Sequence, residues 1–396
     1  MGPGWRNWAA GNLKMTSSKY ERYDVTIIGA GPAGSMLAYI LASQGIRVLV
    51  LEKERLPRAK VCAGGITVRA ASLLPFEIED IVEDVIYGVR LSYHCVPKKV
   101  RTYDKPMMYM VMRQKFDHLL ASRAREAGAS IEDGIAVKQI EIGKNSVRVL
   151  TEKDIFETPL LAGADGSNSI VVHSLGLRKG FEYGLGINGF LAADQERSSP
   201  WHNLIGLDYG IPGGYAWVFP KRDCLALGAG SSFREARKLK PYALRLVQAY
   251  NLGQTGGKFL KGHLMPVRRS NTRLSHHRVL LLGDAAGLID PLTGEGIYSA
   301  LRSSQLAASA ITRFIAGQSA DLHEYERDID NELMPELKKA RTIQKLNSAT
   351  PRIFFHFMKE NDRFFRAFCR LLRGEKTYAG IKQSLPPPLR LLFHIF

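Results

Sequence analysis

Asp24-Val-Thr-Ile-Ile-Gly29-Ala-Gly31-Pro-Ala-Gly34 is the stretch on which the reading of this chain turns. Asp24-Val-Thr-Ile-Ile-Gly29 reads as a buried parallel strand. An Ala- and Leu-rich helix follows to about Gln44, and Arg47-Val-Leu-Val-Leu-Glu52 is the next strand. This is a β–α–β unit with G-x-G-x-x-G at its first turn. Gly29 allows the tight turn, Gly31 lets the backbone approach a pyrophosphate, and Gly34, beside Ala33, lets helix and strand pack closely. The free N–H groups and dipole at the start of that helix favour an anion. Glu52 closes the second strand, where an acid accepts hydrogen bonds from ribose hydroxyls. An acid there favours an unphosphorylated ribose, hence FAD or NAD rather than NADP. The competing reading is a glycine-rich turn in some other α/β protein. The agreement of strand, glycines, helix and terminal acid argues against it.

Around this unit the chain has 396 residues, enough at roughly 150 per domain for two or three domains or one large interleaved one. With 45% hydrophobic and 23% charged residues, it reads as an ordinary globular protein, which excludes disorder, collagen and coiled coil for the whole chain. No apolar run reaches the roughly 18 residues that a transmembrane helix needs. The net charge of +17 points to an anionic partner: a phosphorylated ligand, an acidic membrane surface or nucleic acid. Nucleic acid is set aside, because the basic residues are dispersed and no recognition motif is present. Cys62, Cys95, Cys224 and Cys369 form no C-x-x-C pair, so neither a zinc site nor a cysteine-ligated cluster is expected, and no metal. This usage suits a reducing cytosol, so a cytoplasmic location is expected, with peripheral membrane contact as an extension of it. Residues 1–20 read as a disordered extension without the apolar core of a signal peptide, and Met15 is an alternative start.

Further motifs bear on the cofactor. Leu161-Ala-Gly-Ala-Asp165-Gly166 follows an apolar stretch, and Arg278-Val-Leu-Leu-Leu-Gly283-Asp284 is a strand ending in Gly-Asp. Asp290-Pro291, Gly294-Glu-Gly296-Ile297 and an Ala/Leu-rich helix to about Ile315 come next. Together with the glycine turn, these resemble the FAD-binding fold of p-hydroxybenzoate hydroxylase and its relatives. The resemblance implies that Asp284 binds the ribityl chain, with Asp165, Gly294, Gly296 and Ile297 at the cofactor. A helix N-terminus there would stabilise negative charge on the reduced ring. It also implies that Arg113, heading Arg-Gln-Lys-Phe-Asp117, lies over the cofactor's linker, and that Val137 offers backbone to the adenine.

Two segments narrow the resemblance. Lys60-Val-Cys62-Ala63-Gly64-Gly65 resembles the Lys-x-Cys-Gly motif of geranylgeranyl reductases, departing at Ala63 where many relatives have Gly. Pro212-Gly-Gly-Tyr215-Ala-Trp217-Val-Phe219-Pro220-Lys221 matches their P-x-x-Y-x-W-x-F-P-K signature at every specified position. The likeness spans roughly residues 22 to 320. It implies FAD, with Cys62, Ala63 and Gly65 beside it and Cys62, Tyr215 and Trp217 nearest the chemistry. Tyr215, Trp217, Phe219 and Lys221 would meet the substrate. It further implies that reduced flavin N5 gives hydride to a C=C bond of a geranylgeranyl chain, free or lipid-linked, with electrons from NADPH or from reduced ferredoxin, a donor protein. The residues alone leave other readings open. Tyr215, Trp217 and Phe219 alternate, so they share one face of a strand and suit a core as well as a pocket. A free cysteine such as Cys62 is often simply buried, and as a thiol near a cofactor it would influence substrate binding, flavin potential or the proton path. Lys221 is a solvated charge or a neighbour of an anionic head group.

The fold expected is α/β: a Rossmann-type FAD-binding domain over 21–75, 108–175 and 270–320, interleaved with an antiparallel-sheet substrate domain over 76–107 and 176–269. A β-hairpin is expected from Val137, and strands near 186–193, 204–209, 215–219 and 224–229. Residues 321–396 read as a C-terminal helical region, charged and solvated from His323 to Lys345. From Thr350 to Phe396 nine Lys/Arg and three Asp/Glu interleave with Phe354, Phe355, Phe357, Phe364, Phe365 and Phe368. This basic, aromatic segment suits either an anionic bilayer or a cap on the substrate domain. The alternatives in function are an FAD-dependent monooxygenase or halogenase, and a cluster-free electron-transfer flavoprotein–quinone oxidoreductase.

Overall fold

The computed structural model describes residues 23–253, 259–269 and 272–384. The extension expected over residues 1–20 and the chain end from Pro386 lie outside the described residues. The strand Val25–Ile28 is buried throughout, as its composition requires. It is the fourth of six strands, between Leu160–Gly163 and Val48–Glu52, and pairs with both in parallel. Val279–Leu281 and Ser130–Asp133 extend the sheet in parallel, and the two-residue strand Ser275–His276 adds an antiparallel edge. The helices Pro32–Ser43, Arg113–Glu126 and Ile297–Ile315 pack together. The three-stranded meander from Val137 to Thr158 adds Ile140, Val147, Val149 and Phe156 to the same core. A sheet covered on both faces has no wet side, which is why its strands read as unbroken apolar runs.

A seven-stranded sheet forms the second layer, in the order Lys261–Arg268, Phe181–Ala192, Cys224–Ser232, Tyr215–Pro220, Leu204–Asp208, Gly88–Tyr93 and Val96–Thr102. Five of its pairings are antiparallel, as expected. Leu204–Asp208 and Gly88–Tyr93 pair in parallel, because they come from chain segments on either side of a long excursion. Sheet membership changes at Tyr87: Val82–Ile86 pairs with Met108–Val111, which also pairs with Gly65–Thr67.

Side-chain alternation divides the Tyr215–Pro220 strand. Ala216 and Val218 join the core under the helix Ala236–Ala249. Tyr215, Trp217 and Phe219 face the opposite way, toward a cluster shared with the C-terminal helices. Those helices run over Met334–Ala349, Pro351–Glu360, Asp362–Leu372 and Tyr378–Ser384. In Asp362–Leu372 the Asn361 side chain accepts from the Phe364 N–H and caps the helix. Phe364, Phe365, Phe368, Leu371 and Leu372 are buried, while Arg363, Arg366 and Arg370 face water. The aromatic positions therefore form a cap on the seven-stranded sheet. The segment His323–Lys345 departs from its expected solvation. Tyr325, Ile329, Met334, Leu337, Ala340 and Ile343 recur at helical spacing and are buried, so only the outer face is wet. Among the described residues no helix is long and apolar enough to cross a membrane.

Because Phe365 is 1% exposed and Arg370 lies on the water face, the two substitutions separate cap from surface. Phe365→Ala is expected to cost about 3–5 kcal/mol. Arg370→Ala is expected to stay within about 0.5 kcal/mol. Urea denaturation of the holoprotein measures both.

Candidate active site

Helix placement creates the site. The helix Pro32–Ser43 sits so low on its strand that a Cβ on Gly34 would lie 1.9 Å from the Gly29 carbonyl oxygen. Gly34 is thus a packing residue and does not line the cavity. The N-terminus of this helix opens into a cavity of about 700 Å³. So does the N-terminus of Ile297–Ile315, beginning after Gly296. Neither N-terminus has a side-chain cap or an acid in its first turn. Their amides are left for an anionic partner.

At one end of the cavity, Glu52 accepts from the Ala30 N–H at 2.8 Å and the Glu54 N–H at 3.1 Å. Arg58 Nε lies 3.4 Å from the same carboxylate, and its Nη1 donates to Asp117 at 3.1 Å. Arg113 gives Asp117 two further bonds, at 2.8 and 2.9 Å. Burial works against the Arg113 charge, but Asp117 and the neighbouring Cys62 thiol more than offset it, so the guanidinium is held above its ordinary range. A guanidinium fixed in this way suits recognition of a phosphate group.

Asp284 lies 3.5 Å from His263 Nε2, which is itself 3.4 Å from Ser167 Oγ. Burial would raise the Asp284 pKa, yet His263 and Lys60 outweigh it and hold the carboxyl below its usual range. Asp165 accepts from the Ile170 N–H at 2.7 Å through one oxygen. Its other oxygen is buried without a partner among the described residues, and burial raises its pKa. A buried orphan acceptor, two uncapped helix ends and the Glu52 carboxylate held at the cavity fit FAD, with polar hydroxyls to occupy the acceptors and phosphates the amides.

The turn Cys62–Gly65 is gripped from two sides. Gly64, at φ +69°, has no room for a Cβ, which would meet the Val111 carbonyl oxygen at 2.0 Å. Its own carbonyl accepts from Val111 N at 2.8 Å and from Lys221 Nζ at 3.1 Å. The Cys62 carbonyl accepts from Asn188 Nδ2 at 3.3 Å, and Asn188 Oδ1 accepts from Trp217 Nε1 at 2.9 Å. The Tyr215 hydroxyl donates to the Thr293 carbonyl at 2.5 Å. The polar atoms of Tyr215 and Trp217 therefore hold the two loops of the site, and their rings line it.

Gly29, Gly31, Ala33, Glu52, Cys62, Ala63, Gly65, Arg113, Val137, Asp165, Asp284, Gly294, Gly296 and Ile297 all line this cavity, as do Tyr215, Trp217 and Phe219. Lys221 is neither solvated nor a lining residue. It is 4% exposed and its ammonium is spent on the Gly64 carbonyl, because the end of its strand runs beneath the Cys62 turn. Sequence reading missed Arg58, Lys60, Asn188, Tyr209 and His263. Lys60 was visible inside the Lys-x-Cys motif. Asn188 and His263 sit on neighbouring strands with no local signal.

Fold and cavity together define a flavoprotein of the FAD-dependent oxidoreductase superfamily, and residues 22–209 match the FAD binding domain family. The digeranylgeranylglycerophospholipid reductase of Methanocaldococcus jannaschii is 30% identical over 363 residues, 82% of this chain and 88% of that protein. The chloroplastic geranylgeranyl diphosphate reductase of Nicotiana tabacum is 30% identical over 348 residues, 81% of this chain and 74% of that one. The chain belongs to the geranylgeranyl reductase family. The crystal structure of a geranylgeranyl bacteriochlorophyll reductase-like protein from Thermoplasma acidophilum has the same fold, with a TM-score of 0.72 at 20% identity, covering 95% of this chain and 98% of that one.

Burial pushes the Lys221 ammonium down from 10.5 to about 8. The folded protein thus favours the neutral amine more than the unfolded chain does. Lys221 adds stability as pH rises from about 8 to 10.5, and that stability is lost as pH falls back through 8. Across this window the stability of wild type relative to Lys221→Met should grow by about 3 kcal/mol, read from urea midpoints at each pH. A constant difference would show that Lys221 is solvated.

Proposed function

We propose that this protein saturates C=C bonds of an isoprenoid chain. The observation that carries the reading is the continuity of the cofactor cavity with an apolar chamber walled by Tyr209, Trp217, Phe219, Phe354, Phe368 and Leu372. That wall comes from the substrate sheet and the C-terminal cap, and it suits a hydrocarbon chain better than a polar aromatic acid. When bound, reduced FAD would supply a hydride from N5 to one alkene carbon.

The chain's own residues prepare that event. An isolated alkene accepts hydride poorly, so it must be held at near-attack distance and away from water. Trp217, fixed by Asn188, and Tyr215, fixed by Thr293, present rigid rings to the chamber. Asn188 and Lys221 hold the Cys62 turn against it. The proton for the second carbon comes from water or from an acid at the chamber wall, with Cys62 influencing its path. The relatives' names support the substrate class: one is named for geranylgeranyl diphosphate and one for a digeranylgeranyl glycerophospholipid. NADPH or reduced ferredoxin as donor follows from the family resemblance. The charge of +17 supports an anionic head group and peripheral contact with an anionic membrane. The complete P-x-x-Y-x-W-x-F-P-K match favours reduction over oxygenation or halogenation.

The test is anaerobic. The holoprotein is reduced chemically and mixed with geranylgeranyl diphosphate, then with a digeranylgeranyl glycerophospholipid. Flavin reoxidation with a product heavier by two hydrogens per event is the expected result. Flavin that stays reduced with both substrates until oxygen enters overturns the reading.

A further inference from the structure

The turn Asp290–Gly296 lies at the cavity wall immediately before the helix Ile297–Ile315. Its shape depends on Asp290. The Asp290 N–H donates to the Glu295 carbonyl at 3.0 Å, and the Gly294 N–H donates to the Asp290 carbonyl at 2.8 Å. One carboxylate oxygen accepts from the Leu292 and Thr293 amides, at 2.9 and 3.0 Å. The other points away from the turn, toward the C-terminal cap. There the Tyr378 hydroxyl donates to it at 2.5 Å. Arg69 is the nearest cation, but its Nη2 is 3.8 Å from this oxygen and 2.5 Å from Glu295. Asp290 is 3% exposed and Tyr378 1%, so the pair is closed to water.

Tyr378 is otherwise well anchored. Its backbone N–H donates to Glu336 at 2.5 Å, and its ring belongs to the cluster that contains Phe368 and Leu372 of the chamber wall. On the substrate-sheet side, Tyr215 bonds the Thr293 carbonyl of the same turn. One tyrosine from each of two separate units therefore grips the turn.

We propose that Tyr378 is a positioning residue for the cofactor: its hydroxyl fixes the Asp290 carboxylate, and through it the Asp290–Gly296 turn and the first amides of the helix Ile297–Ile315. Without the hydroxyl, this buried carboxylate oxygen keeps the 3.8 Å ion pair with Arg69 but no hydrogen bond, and a buried acceptor without one is costly. The turn relaxes to find another partner, and the helix end that receives the cofactor moves with it. This role rests on FAD binding and is independent of which substrate is reduced.

Tyr378→Phe keeps the ring and removes the hydroxyl. Ile381→Ala, on the same helix and 2% exposed, loosens the cap without touching a hydrogen bond, so it serves as the packing control. FAD affinity of each apoprotein is read from quenching of flavin fluorescence, and hydrogen–deuterium exchange is followed at residues 290–297. Tyr378→Phe is expected to weaken FAD about tenfold and to speed exchange in the turn, whereas Ile381→Ala stays within about twofold for FAD. An FAD affinity for Tyr378→Phe within about twofold of wild type, or an equal loss in Ile381→Ala, overturns the proposal.

Discussion

The approach of Gly34 to the Gly29 carbonyl is the contact on which the rest of the site depends. With no side chain between them, the helix Pro32–Ser43 settles onto the sheet and aims its amides past the carboxyl ends of Val25–Ile28 and Leu160–Gly163. The same turn brings the Ala30 N–H to Glu52, which ties the neighbouring strand to the glycine loop. A helix lifted by a single methyl group would separate its uncapped amides from the Glu52 carboxylate.

Charge is managed by pairing around this contact. Glu52, Arg58, Asp117 and Arg113 form a continuous chain of opposite signs at low exposure. Buried ions are tolerated when each has a partner, and removal of one leaves the next uncompensated. The chain is therefore a rigid unit that presents the guanidinium of Arg113 to the cavity without freedom to collapse onto it. The Cys62 turn and the Asp290 turn lie at the same cavity and are stabilised differently, by neutral and charged hydrogen bonds from other parts of the fold. Lys221 and Asn188 hold the first, and Tyr215 and Tyr378 the second. Both turns thus take their shape from the docking of the seven-stranded sheet and the C-terminal cap.

The cap also decides what the +17 charge means locally. Phe364, Phe365 and Phe368 are consumed by the core, while the arginines between them stay in water. A helix of this pattern has one apolar face, and a sheet face that turns Tyr209 and Phe219 toward it is a ready partner.

Local pattern was enough for much of this. The β–α–β unit, the turn at Gly29, the close packing at Gly34, and the common face of Tyr215, Trp217 and Phe219 were legible because strand and helix periods operate over a few residues. The cavity-lining residues carried by motifs were legible for the same reason. What tertiary structure alone decided are the partners: that Lys221 turns inward to Gly64, that Asn188 links Trp217 to Cys62, that Arg58 joins Glu52 to Asp117, and that Tyr378 reaches Asp290. Each joins segments far apart in the chain. Whether two such polar groups meet depends on strand register and helix docking, which the sequence determines only through the packing of the whole core, and not through any pattern that can be read along one segment.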